Sequence, residues 1–142
     1  MDLKKIVREN IYNLTPYSCA RTEFSGKASV GIDANESPYN NPYNRYPDPL
    51  QMELKRRIGQ MRGVVADQIF LGVGSDECID MVYRVFCRPG IDNVVAIEPT
   101  YGMYEVCAEV NDVEYRRAPL ADDFSIDIQK IFEQIDDKTK VI

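Results

Sequence analysis

Histidine and tryptophan are both absent from this chain, and the first absence removes whole classes of chemistry. Histidine is the commonest general base and metal ligand, so neither a Ser-His-Asp nor a Cys-His hydrolase can be assembled here. The four cysteines, Cys19, Cys78, Cys87 and Cys107, form no C-x-x-C pair, and without histidine no zinc-finger spacing exists. This usage fits a reduced, cytoplasmic protein. Positive charge is also scarce: 17 Lys and Arg stand against 23 Asp and Glu, a formal charge of -6 with a pI of about 4.7. The one dense basic cluster, Lys55-Arg56-Arg57, lies in a segment with its own apolar stripe and reads as a solvated helix face. Nucleic acid is therefore disfavoured as a partner. No apolar run approaches the length of a membrane span, and Met1-Asp2-Leu3-Lys4 does not open a secretory signal, so no membrane partner is expected.

What the chain does have is length for one domain with a real core, at 142 residues, and one informative turn. Gly72-Val73-Gly74-Ser75-Asp76-Glu77 joins a short apolar run, Gln68-Ile69-Phe70-Leu71, to a helical pattern. The run reads as a buried strand. Beyond the turn Ile79, Val82, Tyr83 and Phe86 recur at helical spacing until Pro89-Gly90 stops them. A small-residue turn at a helix start leaves backbone N–H groups unpaired where the helix dipole also favours an anion, and phosphate is the natural guest. Two familiar phosphate motifs fail: no Gly-Lys-Ser/Thr ending follows, and Glu77 stands where a dinucleotide fingerprint needs its third glycine. The same residues also suit an ordinary strand-to-helix connection with Ser75 or Asp76 as N-cap.

The rest of the chain alternates strand and helix. Residues 1–44 are polar and turn-rich, with Ile6 and Ile11 fitting a short leading helix or arm and Pro38–Asn44 a loop. Asp48, Pro49 and Gln51 suit the N-cap, first and third positions of a helix whose Leu50, Leu54, Ile58 and Met61 share a face. Val94-Val95-Ala96-Ile97 is an uninterrupted apolar run, suited to a strand covered on both sides. Tyr104, Cys107 and Ala108 mark a helix ending near Asn111-Asp112. Val113 and Tyr115 suggest an outer strand. Ile128, Ile131, Phe132 and Ile135 give the cleanest helical stripe, and Lys140-Val141-Ile142 begins another strand. Such alternation argues for an α/β layered sheet. A chain that stops inside an apolar strand reads as the leading portion of something longer, because bare strand edges invite aggregation.

Ligands of open parallel sheets bind at the strand-end loops. Two are visible, Gly74-Ser75-Asp76 and Glu98-Pro99-Thr100-Tyr101-Gly102. Tyr101 could stack on a flat ligand or cover the sheet end as a core tyrosine. Asp33-Ala34-Asn35-Glu36-Ser37-Pro38 could bind a polar or cationic ligand or simply make Asx-turns. Arg45-Tyr46-Pro47 leads into a helix cap.

Together, Asn35-Glu36-Ser37-Pro38, Arg45-Tyr46-Pro47, Gly74-Ser75-Asp76-Glu77 and Pro99-Thr100-Tyr101-Gly102-Met103-Tyr104 occur in the order seen in histidinol-phosphate aminotransferases, and the chain resembles that family along essentially its whole length. Asn13-Leu14-Thr15-Pro16-Tyr17 resembles the family's N-terminal arm. The resemblance implies a homodimeric fold-type I enzyme using pyridoxal 5'-phosphate (PLP) to move an amino group between histidinol phosphate and 2-oxoglutarate in histidine biosynthesis. It implies an N-terminal arm and small-domain segment over 1–44, and over 45–142 the first part of the PLP-binding large domain, mostly parallel sheet with helices on both faces. By the same resemblance Gly74, Ser75 and Asp76 would form the phosphate turn, with backbone amides and the Ser75 hydroxyl as donors. Tyr101 would stack on the pyridine ring. Tyr46 would reach the neighbouring subunit's cofactor phosphate, and Tyr17, Asn35 and Glu36 would line the substrate pocket.

Transamination also needs a lysine that holds the cofactor covalently and moves the proton. None of Lys4, Lys5, Lys27, Lys55, Lys130, Lys138 and Lys140 falls at a strand end beside the turn, so the 142-residue chain alone is expected to be inactive. Other readings are a related PLP enzyme, such as a threonine-phosphate decarboxylase or another aminotransferase, or a non-catalytic α/β ligand-binding domain.

Overall fold

The computed structural model describes residues 2–142 apart from 20–22, 25, 27–29, 31 and 33. Lys27 and Asp33, both singled out above, lie outside the described residues. In chain order the elements are α1 (Glu9–Tyr12), α2 (Met52–Arg62), α3 (Gly74–Phe86), β1 (Asn93–Glu98), α4 (Met103–Val110), β2 (Glu114–Pro119), α5 (Ile128–Glu133) and β3 (Thr139–Val141), with single 3-10 turns at Leu3–Lys5 and Ala66–Gln68. Backbone proximity divides the chain into two compact units, Met1–Leu14 with Gly72–Ile142, and Thr15–Leu71.

The first unit is built on a parallel three-stranded sheet in the order β2-β1-β3. Successive residues of a strand face opposite sides of the sheet. Val94 and Val95 are both buried, so both faces of β1 are covered, as its unbroken apolar run implied. The core joins Tyr83 and Cys87 from the end of α3, Val94, Cys107 and Ala108 from α4, and Val113, with Ile79, Met103, Tyr115 and Val141 packed against them. Parallel strands require long crossovers: α4 lies in the one from β1 to its neighbour β2, and α5 in the one that returns from β2 past β1 to β3. The expected helices and strands over residues 74–142 are thus present, with β2 at an edge.

Polar side chains complete this unit where backbone pairing is irregular. At the β1–β3 register shift beside Asn93, Asn93 Nδ2 donates to Asp136 Oδ1 at 2.9 Å and Asn93 Oδ1 accepts from Thr139 Oγ1 at 2.7 Å. The side chain is fully buried, and its amide ties β1 to β3 through Thr139 and to the turn before β3 through Asp136. Next to it the buried carboxylate of Asp92 accepts from the Arg88 guanidinium at 2.6 and 2.9 Å and from the Arg88 amide at 2.7 Å. The leading segment is anchored at the C-terminal end of α3. The Arg8 amide donates to the Val85 carbonyl at 3.0 Å and its guanidinium to the Arg84 carbonyl at 2.8 Å, where unpaired carbonyls and the helix dipole favour a cation.

In the second unit, α2 starts later than its sequence signals suggest. Asp48 does accept backbone N–H groups, from Leu50 at 2.9 Å and Met52 at 2.8 Å, but Gln51 takes a left-handed φ of 53°. The chain therefore makes one turn before the helix proper begins at Met52. Leu50, Leu54 and Met61, expected on one face, are all exposed. The expected strand over Gln68–Leu71 is not formed: Ala66–Gln68 is a 3-10 turn and Ile69–Leu71 joins no ladder. An extended apolar run becomes a strand only when a neighbour pairs its N–H and C=O groups, and Phe70 is exposed. No helix among the described residues is long and apolar enough to cross a membrane.

Candidate active site

The phosphate-type turn sits at the N-terminus of α3. A Cβ on Gly72 would lie 2.8 Å from Cys78 Sγ and 3.0 Å from Glu77 Oε2, so the chain can pass this close to the first turn only as glycine. Gly74 has φ +77°, and a Cβ there would meet nothing within 4 Å. Its requirement is conformational rather than steric, and the space beside it is open.

The residue at the N-cap position is Val73, which has no side-chain cap to offer. Ser75 and Asp76, read from the sequence as possible caps, instead lie inside the first turn. The Val73 amide donates to the Glu77 carboxylate, while the amides of Gly74, Ser75 and Asp76 have no acceptor among the described residues. Three orphan donors at the positive end of a 13-residue helix form an anion site by geometry and dipole alike. The Ser75 hydroxyl adds a fourth donor, 3.4 Å from Asp76 Oδ1 and beside the Tyr101 hydroxyl.

Tyr101 closes the side of this turn. It follows β1 directly and its hydroxyl donates to Asp76 Oδ1 at 2.9 Å. That bond, to a carboxylate, raises the Tyr101 pKa above its ordinary value and turns the Asp76 charge toward a proton donor. The Tyr101 ring is half exposed and packs edge-on against Tyr104, centroids 5.9 Å apart at 88°. It is therefore not a core tyrosine covering the sheet end. A Cβ at the adjacent Gly102 also meets nothing within 4 Å.

The donor set suits a phosphate monoester: three amides, a hydroxyl and a helix N-terminus, with room in front of Gly74 and Gly102 and an aromatic side chain alongside. No lysine hydrogen-bonds or ion-pairs with Gly74–Glu77 or Tyr101 among the described residues. An apolar cleft of about 430 Å³ adjoins this turn, lined by residues including Cys78, Ile79, Thr100, Tyr104, Ile131 and Ile142, and carries no charged side chain.

The remaining sequence candidates belong to the second unit. Tyr17 is 92% exposed. Asn35 is exposed with φ 46°, a left-handed conformation that asparagine tolerates better than most residues. The Glu36 side chain is only 4% exposed and pairs with Arg45 NH1 at 2.5 Å, while its other oxygen accepts the Tyr46 amide at 2.7 Å. The Tyr46 side chain is exposed. Three features escaped the reading of the sequence: the Glu77 bond to Val73, the Asp76–Tyr101 bond and the Glu36–Arg45 pair. The first is an i, i+4 relation at a helix start and was in principle legible. The other two join motifs that were each read separately.

The chain resembles known proteins along nearly its whole length. A histidinol-phosphate aminotransferase of Parabacteroides distasonis is 58% identical over 141 residues, 99% of this chain and 41% of that protein. A histidinol-phosphate aminotransferase of Bacteroides fragilis is 57% identical over the same shares. The chain thus spans about two fifths of the length of these curated relatives. Among solved structures, a provisionally assigned aminotransferase of Burkholderia pseudomallei superposes with a TM-score of 0.56 at 22% identity, over 69% of this chain and 29% of that one, a likeness of fold. A provisionally assigned histidinol-phosphate aminotransferase of Erwinia carotovora atroseptica superposes with a TM-score of 0.52 at 25% identity, over 62% of this chain and 25% of that one. The family model for aminotransferase class I and II matches residues 25–142, most of the chain, and the protein belongs to that family.

Proposed function

We propose that this chain is the cofactor-phosphate portion of a PLP-dependent histidinol-phosphate aminotransferase, which exchanges an amino group between histidinol phosphate and 2-oxoglutarate. The observation that carries the reading is the start of α3, where three amides without an acceptor among the described residues and the Ser75 hydroxyl lie near Tyr101, with open space at the Gly74 Cβ position. Identity of 58% to a histidinol-phosphate aminotransferase over 141 residues supports the choice of substrate.

When bound, PLP supplies the electron sink for amino-group transfer. Gly74, Ser75 and Asp76 hold its phosphate, and the half-exposed Tyr101 ring lies against its pyridine ring. In a homodimer Tyr46 reaches the phosphate of the partner subunit's cofactor, and Tyr17 and Asn35 belong to the substrate side. Residues 1–44 act as arm and small-domain segment and 45–142 as the first part of the large domain. The catalytic lysine comes from the stretch of the relatives that this chain does not match, and the enzyme works in the cytoplasm.

Ser75→Ala in the full-length protein tests the reading. Loss of one hydrogen bond to a charged phosphate weakens PLP binding roughly tenfold or more, measured by absorbance titration of the apoprotein. Wild-type protein transferring nitrogen from histidinol phosphate to 2-oxoglutarate, with S75A binding PLP more weakly, is the expected result. Release of carbon dioxide from an amino acid phosphate without transfer, or wild-type affinity in S75A, would overturn it.

A further inference from the structure

We propose that Glu36 acts as a positioning residue for Tyr46 rather than as a direct substrate contact. The inference rests on the reading of Tyr46 as a cofactor-phosphate ligand. Of the two residues, Glu36 is the one turned inward: its side chain is 4% exposed, whereas Tyr46 is 64% exposed. A carboxylate that is to meet a substrate needs an accessible oxygen. Here one oxygen takes the Arg45 guanidinium at 2.5 Å and the other the Tyr46 amide at 2.7 Å.

The same two stretches are joined a third time, by Asn44 Nδ2 donating to the Ser37 carbonyl at 2.6 Å. Residues 36–37 are thereby tied to 44–46, and the loop between them, which carries Pro38 and Pro42, is closed at its neck. Charge-assisted hydrogen bonds are roughly twice as strong as neutral ones, and a carboxylate bound to a backbone N–H fixes where that residue's Cα lies. The Tyr46 backbone is held from inside while the residue as a whole remains exposed. Holding a binding group in place before the ligand arrives lowers the ordering cost of binding, which is the service a buried Glu36 performs for an exposed Tyr46. Arg45, half exposed, pairs its guanidinium with the buried carboxylate.

The test is a double-mutant cycle in the full-length protein, with Glu36→Gln and Tyr46→Phe alone and together. PLP affinity is read by absorbance titration, the KM for histidinol phosphate by steady-state kinetics, and amide hydrogen exchange across residues 44–47 in the apoprotein. Glutamine keeps the size and an acceptor oxygen but drops the charge. Loss of one charge-assisted bond corresponds to roughly tenfold weaker PLP binding. Expected are faster exchange over 44–47 in E36Q apoprotein, roughly tenfold weaker PLP binding in E36Q and in Y46F, and a double variant little worse than Y46F alone. Additive losses, unchanged exchange, or a raised KM with unchanged PLP affinity would each overturn the proposal while leaving the aminotransferase reading intact. A wild-type protein that binds no PLP would overturn both. Should E36Q fail to fold, E36D, which keeps the charge on a shorter arm, enters the same cycle with the same criteria.

Discussion

Replacing Gly74 by alanine isolates the conformational requirement of the phosphate turn, because a Cβ there would touch nothing within 4 Å. No clash contributes, so the cost comes from forcing an L-residue to hold φ +77°. Left-handed backbone costs an L-residue about 1–2 kcal/mol. Gly102 is the internal control. A Cβ there also meets nothing within 4 Å, but its backbone is right-handed, with φ -60°. Alanine at a compatible position gains about 0.4–1 kcal/mol by restricting the unfolded chain. The unfolded-chain gain is common to both substitutions, so G74A is expected to fall below G102A by the left-handed cost alone, about 1–2 kcal/mol. Urea unfolding of the apoprotein, followed by far-UV circular dichroism, measures it. Because relaxation of Gly74→Ala would rotate the peptide that aims the Ser75 amide, PLP affinity falls in G74A and not on account of stability alone. Equal midpoints for G74A and G102A, or a G74A variant with wild-type stability and PLP affinity, would refute the reasoning.

Three further outcomes are expected. Asp136 titrates near 2 instead of the ordinary 3.8, held down first by the Asn93 side chain, with Arg116 contributing. The ionised form therefore adds stability that is fully present above about pH 4 and lost as pH falls toward 2; an acid-unfolding profile of Asp136→Asn should lack that part of the pH dependence, and an unchanged profile would contradict it. Burial pushes the Cys87 thiol up to about 11, leaving about one thiolate per thousand at pH 8. Iodoacetamide at that pH should modify the half-buried Cys78 well before Cys87, by peptide mass mapping; equal labelling in the native state would count against the described core. Asp92→Ala leaves the Arg88 amide without its acceptor beside β1 and should cost about 2–3 kcal/mol in thermal or urea unfolding, whereas a loss under 1 kcal/mol would mean that water replaces the carboxylate.

The two site-bearing units differ in how much of them was legible. At the α3 turn the residue types were sufficient: Gly72, Gly74 and Ser75 at the head of an amphipathic helix can hardly do other than leave amides free, since a helix cannot satisfy its own first N–H groups. What the reading lacked was the partner of each acid. Asp76 and Glu77 are adjacent, yet one carboxylate turns to Tyr101 and the other back to Val73, a choice made by packing. Around Asn35 and Glu36 the motif was recognised, but its chemistry was assigned from the resemblance, and the structure places the Glu36 carboxylate against Arg45 and the Tyr46 amide.

Much of the secondary structure was determined by the sequence alone: the helical stripes of α3 and α5, the unbroken apolar run of β1 and the turn residues between elements mark their segments whatever surrounds them, because periodicity is a property of neighbours in the chain. The order of motifs from Asn35 to Tyr104 likewise pointed to the family before any coordinate. Tertiary structure alone decided the strand order β2-β1-β3, the Asn93 clasp across the register shift, the absence of a ladder at Ile69–Leu71, and which carboxylate meets which donor. Each of these depends on a partner many residues away, and a hydrogen-bonding group commits to a partner only when folding brings one within reach and excludes water from the others.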